Sequence, residues 1–288
     1  MNPVNETGGG VLAIVGTPIG NLSDLSPRAA DALGGADAVI CEDSRRTGKL
    51  LAHIGPRGGR SERPEMLVAN AHTEVGRLAE ISDRLAAGQR LALVTDAGMP
   101  TISDPGRHIV AAAVAGGFAV EVIPGPTAVS SALAVSGLSV DRFVFEGFLP
   151  RKGAERATRL AALGTEARAV VLYEAPHRLQ RTLADLVSVC GGERPVAIAR
   201  ELTKLYEEVL RFSLAEAAAH FDTTEPRGEF VIVLEGRSEQ RATPSDDDLL
   251  DRLRQSVAGG LSRRDAVAEV TAATGEPKRR VYDLSTTL

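Results

Sequence analysis

The apolar positions of the chain fall into short runs separated by amphipathic stretches. Residues 11–16, VLAIVG, form an apolar run that breaks at GTPIGN, after which Ser26 and Pro27 have the chemistry of a helix N-cap and first turn. The spacing then predicts a helix through RAADAL that stops at Gly34-Gly35, a strand at 36–41 (ADAVIC) and a charged loop, EDSRRTGK. A second unit repeats the order. It has a helix near 74–87, a strand at 91–95 (LALVT), the loop DAGMPTISDPG, a helix capped by Asp104 with Pro105 in its first turn and Gly116-Gly117 at its end, and a strand at 118–123 before PGP. Strands alternating with helices point to an α/β domain on a largely parallel sheet.

After PGPTAVSSAL the style changes: DRFVFEGF, AVVLYEA, PVAIAREL, LYEEVLRF and EFVIVLEG are β-rich runs, with helical patterns near 154–163, 177–190 and 213–220. The expected organisation is a flexible N-terminus (1–10), an α/β domain (11–124), a second α/β domain (125–237), a polar linker (238–248) and a helical tail (249–288). Within the tail, SRRDAVAEVTAATGEPKRRVYDL has helix-turn-helix spacing, with Gly275 at the turn.

At 288 residues, 43% hydrophobic and 25% charged, the chain is long enough for buried cores and is neither disordered, collagen-like nor a coiled coil. Cys41 and Cys190 without a CxxC spacing argue against a disulfide scaffold or a thiolate metal site and fit a reducing, cytoplasmic compartment. The opening MNPVNETGGG has no basic-then-apolar leader, and no export signal or membrane span is expected. A net charge of −5 argues against nonspecific coating of nucleic acid. Two basic islands stand out nevertheless, Glu42 to Arg60 and Arg151 to Arg168, each with five Lys/Arg against two acids. Either island alone reads as solvated surface.

Three loops follow strand ends, where an open α/β sheet places its ligand crevice. GTPIGN lacks both the GxGxxG of a dinucleotide fold and the GK[ST] of a P-loop, so alone it reads as a tight turn. DAGMPTISDPG is rigid and ligand-accessible; Asp104 reads there as a plain N-cap, whereas Asp96 reads as functional. IPGPTAVSSAL places Thr127 at a helix start beside small residues. His72, His108 and His177 lack metal-ligand spacing, His108 reading as structural, and no metal site is expected. A GxSxG hydrolase signature is absent.

Taken in order, VGTPIGNLSDLSPRA, CEDSRRTGKLL, LVTDAGMPTISDPG, VIPGPTAVSSALAVSGLSVDRFVFEGFLPRK, LYEAPHRL, ARELTKLYEE and GEFVIVLEG resemble the tetrapyrrole methylase superfamily over residues 11–236. DRFVFEGFLPRK and ARELTKLYEE are similar to its bacterial small-subunit ribosomal RNA methyltransferase branch, whose members methylate a cytidine 2′-oxygen in the decoding region of 16S rRNA. The resemblance departs at PGPTA, where PGASA is expected, and at VANAHTE, where the family has a His-Glu-His-Asn stretch.

That resemblance implies two α/β domains with S-adenosylmethionine in the cleft between them, a small helical tail, a homodimer, and 16S rRNA in the assembled small subunit as substrate. Carried over by position, it places Pro18, Asp96, Gly98, Met99, Thr101, Thr127 and Ala128 near the cofactor, with Tyr173, Ala199 and Phe230 on the opposite wall. Methyl transfer from a sulfonium is an in-line displacement that needs alignment and no metal, while the hydroxyl nucleophile benefits from a base. Candidates for that role are Glu42, Asp43, His72, Glu174 and His177, with Glu42 and Asp43 favoured because they follow a strand end and precede SRRTGK. Candidate RNA contacts are Arg45, Arg46, Lys49, Arg151, Lys152, Arg200, Lys204, Lys278, Arg279 and Arg280. A small tetrapyrrole acceptor and a noncatalytic assembly factor remain as alternatives; the basic islands argue against the first and the retention of all three loops against the second.

Overall fold

The structure, a computed structural model, describes residues 9–55, 63–237 and 244–288. The first sheet consists of β1 (Val11–Val15), β2 (Ala38–Cys41), β3 (Glu65–Val68), β4 (Arg90–Leu93) and β5 (Ala119–Ile123), in the order β3-β2-β4-β1-β5. Every pairing in it is parallel. Because β2 is buried at each of its positions, both faces must be covered. Alternation along the strands sends Ala13, Val39 and Cys41 towards α1 (Pro27–Gly34) and α2 (Ser44–Ile54), and Leu12, Ile40 and Leu91 towards α3 (Glu74–Ala86) and α4 (Arg107–Ala115).

The second sheet has β6 (Phe143–Phe148), β7 (Ala169–Glu174), β8 (Pro195–Arg200), β9 (Glu208–Ser213) and β10 (Phe230–Leu234), in the order β6-β7-β10-β8-β9. Only β6 and β7 pair in parallel; the other pairings are antiparallel. One face buries Leu172, Ile198 and Ile232 against α6 (Ala154–Thr165), α7 (Pro176–Cys190) and α8 (Leu214–Thr223). The other packs Val171, Ala197 and Val233 on α5 (Ala128–Ser136). The residues through Arg237 belong to one compact unit that contains both sheets.

Two local expectations are corrected. The segment EDSRRTGK is not a loop, since Ser44 onward is helix α2. The Asp43 carboxylate caps it by accepting the Arg45 backbone N–H at 2.8 Å, and Thr47, Leu50 and Leu51 form its buried stripe. Asp104 does not cap α4, which starts after Gly106 at φ +116°, a conformation that favours glycine. The capping carboxylate comes instead from Glu74 on α3: one oxygen accepts the Gly106 N–H at 2.6 Å and the other pairs with Nδ1 of His108. His108 is therefore structural, as its place on an apolar helix suggests. Strand β3, with a single fully buried position, gave no readable pattern.

The tail forms its own small unit of α9 (Asp246–Ala258), α10 (Arg263–Thr274) and α11 (Lys278–Ser285) around Leu249, Leu253, Val267, Val270 and Val281. Helix α9 begins three residues before the expected start of the tail, because Ser245 and Asp248 form a reciprocal capping box and the aspartates favour a helix N-terminus. Gly275 ends α10 in the left-handed region, at the expected turn. The N-terminal residues 1–8 and linker residues 238–243 lie outside the described residues, whereas Gly10 is buried and donates its N–H to Leu85 O at 2.7 Å. Among the described residues, no helix is long and apolar enough to cross a membrane.

Candidate active site

Two loops of the first sheet meet backbone to backbone above its strand ends. Thr17 and Gly98 exchange N–H···O bonds of 2.9 and 3.1 Å, and the Thr17 hydroxyl reaches the carbonyl oxygens of Thr95 and Gly98. A Cβ on Gly16 would stand 2.5 Å from the nitrogen of Gly125 in the third loop, IPGPTAVSSAL, so those two glycines pack too closely for a side chain on either. Between Asp96 and Gly106, Gly98, Thr101 and Ser103 all have positive φ (84°, 73° and 64°). For the two non-glycine residues this costs about 1–3 kcal/mol each, strain that surrounding structure must hold.

Between these loops and the second sheet lies a cavity of about 320 Å³. Register explains its far wall: Val231 pairs with Tyr173 on β7 and with Ala199 on β8, so one row of the sheet presents all three side chains to the same face. Tyr173 is held edge-on by Phe145 and Phe148, with ring centroids 5.0 and 5.5 Å away. Burial, and then the charge of Asp104, push the Tyr173 phenol up to about 12, so it stays protonated. Thr127 caps α5 by accepting the Ser130 N–H at 3.1 Å.

Of the residues expected at the cofactor, Gly98, Met99, Thr127, Ala128, Tyr173, Ala199 and Phe230 line this cavity. Pro18, Asp96 and Thr101 do not, although their neighbours Ile19, Ala97 and Ile102 do. Asp104 lines it too, and sequence reasoning missed this by reading Asp-Pro as a helix start; Gly106, two residues on, was the signal that the helix begins later. Phe148, Leu202, Glu229 and Val231 were also missed: they lie within DRFVFEGFLPRK, ARELTKLYEE and GEFVIVLEG, but nothing in those runs distinguishes a residue that lines a cavity from its neighbours.

A second, more open cavity of about 460 Å³ is lined by Glu42, Asp43, Ser44, Asn70, His72 and Asp96. The two cavities flank the Asp96-Ala97 step, Asp96 lining one and Ala97 the other. Glu42 is partly buried, and its carboxyl is raised above the ordinary range by burial and then by the charge of Asp96. Asp43 is the opposite case: the Arg45 guanidinium and backbone N–H hold its carboxyl down to about 2. Asn70 accepts the backbone N–H groups of His72 and Thr73 and so orders the turn that carries the exposed His72. Arg46 lies 3.4 Å from one Asp96 oxygen; the other oxygen is buried and has no hydrogen-bond partner among the described residues, while the Thr95 hydroxyl sits beside the carboxyls of Glu42 and Asp104.

Glu174 lines the first cavity, yet its carboxylate is already engaged. It accepts from Thr182 at 2.6 Å and from the Ala175 N–H at 2.9 Å, and lies 3.2 Å from Arg178 Nε. That arrangement fixes the β7–α7 corner.

Residues 11–218 match the family of Tetrapyrrole (Corrin/Porphyrin) Methylases, and residues 243–288 match the RsmI C-terminal HTH domain. Ribosomal RNA small subunit methyltransferase I of Synechocystis sp. is 45% identical, the match covering 96% of this chain and 97% of that protein. The protein of the same name from Xylella fastidiosa (strain Temecula1) is 43% identical over 95% and 98%. The chain belongs to the ribosomal RNA small subunit methyltransferase I family of tetrapyrrole methylases. The solved structure of the methyltransferase CobJ shares the fold, with a TM-score of 0.60 at 21% identity, covering 80% of this chain and 95% of that one. As a member of this family the protein is an S-adenosylmethionine-dependent methyltransferase.

Judged by their contacts among the described residues, the candidate RNA-contacting residues of this family member divide into free and engaged cations. Lys49, Arg151, Lys152, Lys278 and Arg279 are exposed. Arg45 and Arg46 are also exposed, but face Asp43 and Asp96. Arg200 donates to the Arg227 carbonyl at 2.7 Å, and Lys204 is held between Glu201 and Glu229 at 2.8 and 2.9 Å. Arg280 is likewise pinned, by Asp246 and Glu276 within the tail. Arg156, inside the second basic island, is buried and braces Asp185, Thr182 and the Pro150 carbonyl.

Proposed function

We propose that this protein transfers a methyl group from S-adenosylmethionine to the ribose 2′-oxygen of a cytidine in the decoding region of 16S rRNA, within the small ribosomal subunit. The observation that carries the reading is the pairing of a more enclosed, largely apolar cavity with a more open, acid-lined one at a shared loop. The ribosomal substrate rests on the names of the relatives; the cytidine, its 2′-oxygen and the decoding region rest on the resemblance of DRFVFEGFLPRK and ARELTKLYEE to that branch. A homodimer working in the cytoplasm belongs to the same reading.

The first cavity suits the methyl donor. Its volume lies in the range of small-ligand sites, and Ile19, Ala128, Tyr173, Ala199 and Val231 offer apolar surface to an adenosine. Gly98, at φ +84°, lets backbone approach a ligand without a Cβ. Bound there, S-adenosylmethionine supplies an electrophilic methyl on a good leaving group. The chain's own part is then to align the acceptor oxygen and to receive its proton. Glu42 fits the second task, since it lines the acceptor side and burial keeps its basicity above that of an exposed carboxylate. Asp43, tied to Arg45, is the α2 cap, and Glu174 braces its corner.

The test is transfer of labelled methyl from S-adenosylmethionine to unmodified small subunits, with naked 16S rRNA and a tetrapyrrole in parallel, followed by nucleoside mass analysis. The expected product is 2′-O-methylcytidine on the subunits. Label in the tetrapyrrole alone would move the assignment to a small acceptor.

A further inference from the structure

Three carboxylates line the enclosed cavity: Asp104, Glu174 and Glu229. Glu174 is bonded to Thr182, Ala175 and Arg178, and Glu229 to Lys204. Asp104 differs: among the described residues no ion pair holds it, and the polar neighbour that stabilises its charged form is the hydroxyl of Thr95. The charges near it are negative, Glu42 from the β2–α2 junction and Asp96 from its own loop, and the side chain of Tyr173 faces it from β7. It lines the enclosed cavity while standing close enough to Glu42 and Asp96, on the wall of the open one, to feel their charge. It thus marks the junction that a methyl group passing from donor to acceptor has to cross.

We propose that Asp104 is the counter-charge for the sulfonium, so that the cavity selects the cationic methyl donor over its neutral demethylated product. This inference rests on the reading of the enclosed cavity as the donor site. Burial, then the nearby Glu42 and Asp96 carboxylates, push the Asp104 carboxyl up to about 6. A cation favours the ionised form, so the selectivity is present above that pH and is lost as Asp104 protonates below it. S-adenosylmethionine and S-adenosylhomocysteine carry the same adenosine, amino and carboxylate groups and differ only in the methylsulfonium, so the ratio of their dissociation constants reports that group and the pH dependence of the ratio reports its charge.

Calorimetric titration of the full chain with each ligand provides the test. The expected result is a preference of about tenfold for S-adenosylmethionine at about pH 8, falling towards unity at about pH 5. At about pH 6, buffers of differing ionisation enthalpy should reveal proton release on binding S-adenosylmethionine but not S-adenosylhomocysteine. Asp104→Asn should bring the ratio near unity at both pH values with little change for S-adenosylhomocysteine; the wild-type titrations stand if that variant does not fold. A pH-independent ratio in the wild type, or a preference retained in Asp104→Asn, overturns the inference while leaving the cavity assignment intact. If neither ligand binds, the cavity assignment fails and the inference with it.

Discussion

The two sheets build the site in different ways. The parallel sheet sends the carboxyl ends of its strands to one edge, so its contribution is made of loops: GTPIGN, DAGMPTISDPG and the turn at Gly125, locked backbone to backbone. The mixed sheet contributes a strand face, on which Tyr173, Val231 and Ala199 form one row across three strands. Parallel topology concentrates chemistry in contiguous sequence, whereas antiparallel topology assembles a wall from single positions far apart in the chain. The contrast predicts that the loop side fails through backbone geometry and the wall side through side-chain volume.

The largest effect is expected from Gly16→Val or Gly125→Val. Each would drive a side chain into the facing backbone, at 2.5 Å for the Cβ of Gly16 and 2.8 Å for that of Gly125. Overpacking of this kind costs about 1–3 kcal/mol or more, and S-adenosylmethionine binding by calorimetry should fall below detection. Unchanged affinity would break the claim that the loops form one clamp. Next comes Glu42→Gln, for which the single-turnover methyl-transfer rate should drop about 10²–10⁴-fold with donor affinity unchanged. In the wild type that rate should rise with pH through a value above the usual carboxylate range, because only ionised Glu42 accepts the proton. The variant should lose the rise. Asp43→Ala, by contrast, should lower the melting temperature and leave most of the rate, as befits a helix cap.

How far this was readable from sequence follows the same division. Ser26-Pro27 starting α1, Gly275 ending α10 and the strand–loop–helix order of the first sheet were legible because their signals are local. Asp104 was misread because the group that caps α4, Glu74, lies thirty-two residues from Gly106 in sequence. α2 was misread because its basic residues masked a buried stripe of only Thr47, Leu50 and Leu51. Phe148 and Val231 were not distinguishable within DRFVFEGFLPRK and GEFVIVLEG, since a strand residue that lines a cavity looks like one that fills a core. Pro18, Asp96 and Thr101 lie next to residues of the cavity lining, whereas Gly98, Met99, Thr127 and Ala128 are part of it; a loop motif does not by itself say which of its side chains turns inward.

Smaller effects sharpen the wall side of the comparison. Ala199→Leu, at a buried position facing the cavity, should weaken S-adenosylmethionine by about tenfold while leaving the acceptor affinity unchanged. Smallest of all is the contrast between two lysines. Lys152→Ala should weaken subunit binding a few-fold and reduce the salt slope by about one, whereas Lys204→Ala, already neutralised by Glu201 and Glu229, should leave the slope unchanged. Equal slopes for the two variants would contradict the division into free and engaged cations.

The most direct test of the account is a crystal structure of the full chain with S-adenosylmethionine bound. The account predicts the adenosine between the Gly98-Met99 and Thr127-Ala128 segments on one side and the Tyr173, Val231 and Ala199 row on the other, with the methyl group directed towards Glu42. Density for the donor in the cavity of Glu42, Asn70 and His72, or a methyl group pointing away from it, would contradict the account.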